Sequence, residues 1–154
     1  MAFDIDQLST QLGGLVQITV PENGDLDELG TALSELSVRG IKLTGKFIKA
    51  KATETKLRMS LMQMKAEMDA ASSRIIATSE EYTTLKNEGQ RKAHIEVALS
   101  DEVSNMSQAE IQHANVKSVV ELISDAISCL KFLKENISRQ IQLREIEAAL
   151  EPKE

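Results

Sequence analysis

From Leu36 onward the apolar residues recur in alternating steps of four and three: Leu36, Gly40, Leu43, Phe47, Ala50, Glu54, Leu57, Leu61, Met64, Met68, Ala71 and Ile75, with only Gly40 and Glu54 breaking the row. A repeat averaging about 3.5 residues, kept up this long, predicts a long helix lying against a partner helix with left-handed supercoiling. Its start is marked by Asp25, a good N-cap, with Glu28 three residues on as capping-box partner and Asp27 adding negative charge to the first turn. Gly40 and Gly45 each cost about 1 kcal/mol against Ala inside a helix, so a bend is expected near them.

Asn87-Glu88-Gly89 reads as a C-terminal stop and a reversal over 87–90, with a second helix from about 91 to 150. Its stripe is Ile95, Leu99, Met106, Ala109, Val116, Val120, Ile123, Ile127, Leu130, Ile137 and Ile141, interrupted by Glu102, His113 and Lys134. A second row, Val119, Leu122, Ala126, Cys129 and Leu133, widens the apolar face beyond what a two-helix seam covers. The expected fold is therefore all-α. It is a long, coiled-coil-like antiparallel hairpin (residues 25–154, with a basic helix over about 25–86) preceded by a short acidic arm (1–24), and it assembles through the C-terminal helix. The surplus row makes Val119, Leu122, Ile123, Ala126, Ile127, Leu130, Leu133 and Ile137 the expected homo-oligomer interface. The alternative is that the arm or the helix after Asp25 folds back over them.

Composition supports the helical reading. Helix formers abound, aromatics are three Phe and one Tyr, and the two prolines, Pro21 and Pro152, sit near the ends. The first 24 residues differ, with Gly13-Gly14, a β-branched run over 16–20 and the turn signal Pro21-Glu22-Asn23-Gly24. A single cysteine, Cys129, allows no intramolecular disulfide. The acidic N-terminus does not resemble a signal peptide, and no apolar run approaches the roughly 20 residues a bilayer needs; the cytoplasm is the expected compartment, with no membrane partner.

Net charge is −6, but it is segregated. Residues 1–37 hold seven acids and no Lys or Arg, residues 38–94 twelve bases and six acids, and residues 95–154 six bases and eleven acids, giving −7, +6 and −5. Because potential near an anionic polymer is set within about a Debye length, roughly 8–10 Å, the basic middle can bind phosphate despite the negative total. On charge alone, a solvated lysine-rich helix fits as well. The candidate cations are Lys42, Lys46, Lys49, Lys56, Arg58, Lys65 and Arg74, a rail suited to a phosphate backbone without base reading. One copy would bind weakly, and several would multiply the contacts.

Catalysis finds little support. His94 and His113 are 19 positions apart with no ligand spacing, and neither phosphate-loop nor nucleophile-elbow motifs occur. No enzyme activity, cofactor or metal is expected. His113, at a seam position, fits as an interface residue, and Cys129, in the apolar face, as a small hydrophobe.

Residues 64–74, MKAEMDAASSR, resemble the LKARLDYYSGR segment of the UvsY-like recombination mediator family of T-even bacteriophages. Residues 41–58 carry a similar run of lysines around Lys46-Phe47, and residues 116–150 are similar to that family's C-terminal helix; the likeness spans about 30–150. It implies a ring-like homo-oligomer that binds single-stranded DNA, displaces single-strand-binding protein and loads a strand-exchange recombinase. Lys65 matches the motif's lysine, whereas Glu67 replaces its arginine and Ala70-Ala71 its tyrosines, which would shift the DNA contact towards Lys56, Arg58 and Arg74. The rival expectation is a helical protein-interaction module, such as a phage adaptor or anti-defence inhibitor, that engages a basic partner through its acidic arm.

Overall fold

The computed structural model describes residues 14, 21 and 24–150. Among the described residues four helices follow one another: α1 (Leu26–Thr78), α2 (Glu80–Thr84), α3 (Glu88–Ala98) and α4 (Ser100–Leu150). No strand occurs among the described residues, and α1 and α4 pack antiparallel, giving the all-α hairpin that the heptads predict. The expected arm, and the charged end over 151–154, lie outside the described residues except for Gly14, Pro21 and Gly24.

The start of α1 is closed by the capping box read from the sequence. The Glu28 amide donates to Asp25 Oδ1 at 2.9 Å, and the Asp25 amide donates to Glu28 Oε2 at 3.3 Å, satisfying two amides that the helix itself cannot. Gly24 is buried here, and a Cβ added to it would come within 2.7 Å of Pro21 Cβ, so the close approach of Pro21 requires a glycine.

Packing divides the chain into two compact units. The first, residues up to 51 together with those from 118, contains the core. Leu29, Leu36 and Leu43 of α1 meet Val119, Ile123, Leu130 and Ile137 of α4, and Leu43 and Ile137 are fully buried. Each such side chain stabilises the pairing by about 1.5–3 kcal/mol through removal of its apolar surface from water. Leu33, Phe47, Ile127, Leu133 and Ile141 are half-buried around it.

The second unit, residues 52–117, is a thinner seam. Leu57, Leu61, Met64, Met68, Ala71 and Ile75 are half-buried; Leu99 and Val116 are its buried apolar residues. Two helices cover only one stripe of each other, so their flanks stay wet. Glu54 is buried in this seam, with its Oε1 3.8 Å from His113 Nε2.

α1 passes through Gly40 and Gly45 without interruption and neither has positive φ; burial of Leu36 and Leu43 outweighs about 1 kcal/mol per glycine. The structure corrects one local expectation: the reversal begins earlier than 87–90. α1 ends at Thr78, and extended Ser79 caps α2, accepting from the Tyr82 amide at 3.2 Å, with Glu80 and Glu81 in the first turn. Asn87 is an N-cap rather than a stop: its Oδ1 accepts from the Gln90 amide at 2.8 Å, and Gly89 lies inside α3. Asparagine suits both helix ends, and acidic Glu88 after it tips the balance to a beginning.

Candidate nucleic-acid interface

All seven candidate cations are exposed on α1, but the helix does not align them in one rail. In the first unit, Lys42, Lys46 and Lys49 follow at i, i+4 and i+7 and share one flank of the helix. In the second, Lys56 is separated from Arg58 by roughly 200° of helical turn, and Lys65 lies on the Arg58 side. Arg74 lines a cleft of about 360 Å³ with Glu67, Met68, Glu102 and Asn105, so two carboxylates share its surroundings. Glu67 also accepts from Gln63 Nε2 at 2.8 Å. The compact basic feature is thus the Lys42, Lys46, Lys49 group, since residues two apart on a helix face different ways.

The basic residues near the reversal serve structure. Arg91 Nε donates to the Leu85 carbonyl at 3.2 Å, and its guanidinium sits 5.6 Å from the centroid of Tyr82, the only tyrosine. His94 lies beside the same ring at 6.5 Å, with Nε2 3.3 Å from Ser79 Oγ and Nδ1 3.9 Å from Glu81. These contacts pin the corner and engage Tyr82, so they do not present it as a stacking platform for bases.

The expected oligomer interface is largely spent inside the chain. Val119, Ile123, Ala126, Leu130 and Ile137 are buried against α1, Ile127 and Leu133 are half-buried, and only Leu122 is exposed, together with Cys129 from the same second row. The surplus shrinks because Val119 and Ala126 of the second row join Leu29, Ala32, Leu36, Leu43 and Ala50 of α1 in one buried cluster, with Leu133 packed against it.

Apolar surface is instead exposed where the heptads did not point. Ile41 and Ile48, seven residues apart, line a groove of about 570 Å³ with Gly40, Gly45, Ile127 and Leu130, and Lys131 and Lys134 stand at its edge. No atom lies within 4 Å of where a Cβ would stand on Gly40 or Gly45, so the groove floor is open there. The seven-residue spacing of Ile41 and Ile48 was the available sequence signal.

Among the described residues no cluster of His, Cys, Asp or Glu is arranged to hold a metal ion, and no helix is long and apolar enough to cross a membrane. The arrangement offers electrostatic and apolar contact surfaces. No family model matches the chain, and comparison with curated proteins and with solved structures likewise gives no match.

Proposed function

We propose that this chain is a non-catalytic binding protein that holds single-stranded DNA by its phosphates on the Lys42, Lys46, Lys49 flank of α1, and that it acts as a recombination mediator. The observation that carries the reading is the placement of three exposed lysines within two helical turns, on the segment of positive charge in an otherwise acidic chain. Such a group neutralises backbone charge and does not read bases. The likeness of residues 64–74 to the UvsY-like family supports the mediator role, in which the bound strand passes from single-strand-binding protein to a strand-exchange recombinase. Self-association would raise affinity by presenting several lysine groups to one strand.

Titration of a labelled oligothymidylate at several salt concentrations tests the reading. Three phosphate contacts per chain predict that log affinity falls with log salt at a slope of about 2 for each chain engaged, and K42Q/K46Q/K49Q removes most of it. No binding by the folded chain at low salt refutes the proposal. Solution mass with and without the oligonucleotide reports assembly in the same samples.

A protein-interaction module is the second reading, favoured by the open groove between Ile41, Ile48 and Leu130. A partner that stays bound after nuclease treatment and is lost in I41D/I48D would support it.

A further inference from the structure

Val38, Ile41, Gly45 and Ile48 stand in steps of three, four and three on α1, the spacing of a second seam turned away from the core at Leu36 and Leu43. Val38, Ile41 and Ile48 are 49%, 74% and 63% exposed, so none of the described elements covers them. Ile41 and Ile48 wall the groove of about 570 Å³ whose other side is Ile127 and Leu130 of α4, all within the first unit. The two hydroxyls along it are already used: Ser37 Oγ donates to the Leu33 carbonyl and Thr44 Oγ1 to the Gly40 carbonyl, each at 2.9 Å. The groove therefore asks its occupant for apolar surface rather than hydrogen bonds. Gly40 and Gly45 leave the backbone of α1 open to close approach.

Charge identifies what fits. No Asp or Glu lines the groove, and its only ionised lining residues, Lys131 and Lys134, are exposed on one face of α4 three positions apart. A second copy docking through the same groove about a twofold axis would bring its own Lys131 and Lys134 against these, which like-charge repulsion opposes. We propose that the groove takes an acidic amphipathic helix of a partner protein, with its apolar ridge between Ile41, Ile48 and Leu130 and its carboxylates on Lys131 and Lys134. The dimensions suit a helix. Ser37 and Ile48 are 11 positions apart, so the groove runs about 16 Å along α1, or about three turns of an occupant laid alongside. A helix docked in this way anchors itself by residues at i, i+3 or i+4 and i+7, and the flanking charges choose among partners. The proposal belongs to the protein-interaction reading above and rests on it.

Fluorescence anisotropy of two labelled helical peptides of about 14 residues, long enough to span the groove, tests this. Both carry leucines at i, i+3, i+7 and i+10; one has glutamates on its flanks and the other lysines. The full chain is expected to bind the glutamate peptide and not the lysine peptide, and to bind it more weakly as salt rises. Gly45→Leu fills the floor, where no atom stands within 4 Å of an added Cβ, and abolishes binding while the circular-dichroism melt shows the chain folded. K131E/K134E weakens the glutamate peptide about fivefold or more, as expected for two exposed ion pairs, and admits the lysine peptide. K42Q/K46Q/K49Q keeps the glutamate peptide. Equal binding of both peptides, lost in Gly45→Leu, overturns the acidic class and leaves the groove as a protein site. Binding of neither peptide by the folded chain overturns the proposal and the protein-interaction reading together. Binding kept in Gly45→Leu but lost in K42Q/K46Q/K49Q overturns the proposal by putting the acidic ligand on the other flank. A dimer in sedimentation that Gly45→Leu dissociates overturns it by making a second copy the occupant.

Discussion

Ile123 and Leu122 are adjacent in α4 and equally apolar, yet the structure assigns them different work. Ile123 is 2% exposed between α1 and its own helix, whereas Leu122 is 37% exposed. Ile123→Ala removes buried carbon and leaves a cavity in a core that both long helices hold rigid, costing about 2–5 kcal/mol. Leu122→Ala gives up only part of a side chain's transfer energy and opens no enclosed cavity, for a cost of about 1 kcal/mol or less. For a chain of this size, 1 kcal/mol moves the melting midpoint by about 2–4 °C, so a 3 kcal/mol loss lowers it by about 6–12 °C. Thermal unfolding followed by circular dichroism over a hundredfold range of protein concentration distinguishes intramolecular packing from an interface. If Ile123 packs within the chain, the difference between Ile123→Ala and the parent does not change with concentration. Equal losses for the two variants, or a loss at Ile123 that fades at high concentration, would show that this face is shared between copies and that the core described here is wrong.

Gly45→Ala meets no atom within 4 Å and is expected to stabilise the helix by about 0.5–1 kcal/mol in urea unfolding, whereas Gly24→Ala, whose Cβ would lie 2.7 Å from Pro21, destabilises it; the same sign for both would contradict the placement of Gly24. Glu54 and His113 face each other at 3.8 Å in the second seam, and a double-mutant cycle to Leu is expected to give a coupling of about 0.5–2 kcal/mol at pH 6; a coupling indistinguishable from zero removes the pair. Asn87→Ala deletes the α3 cap and costs about 1 kcal/mol, while Asn87→Gly costs a few tenths, in the same unfolding assay. Were Asn87 a C-terminal stop, as its neighbour Gly89 suggested, Asn87→Gly would be neutral or better than the parent.

The long helices, their antiparallel pairing and the capping box at Asp25 were legible in the order of residues. They depend on interactions within a few positions and on a periodicity that a helix converts directly into a face. The seam at Leu36, Leu43, Val120 and Ile137 was legible for the same reason. What could not be read was which of two apolar rows on α4 would be left over. That depends on how wide a stripe α1 brings to it, and the burial of Val119 and Ala126 with the α1 core is visible only once the two helices are in register. The division of the seven cations was hidden similarly: their spacing along α1 is in the sequence, but Arg74 enters a cleft with Glu67 and Glu102 only because α4 lies alongside. Periodicity alone determined that this protein pairs its helices. Tertiary packing decided which apolar and basic residues remain outside, because exposure belongs to a pair of surfaces and not to either strand of sequence alone.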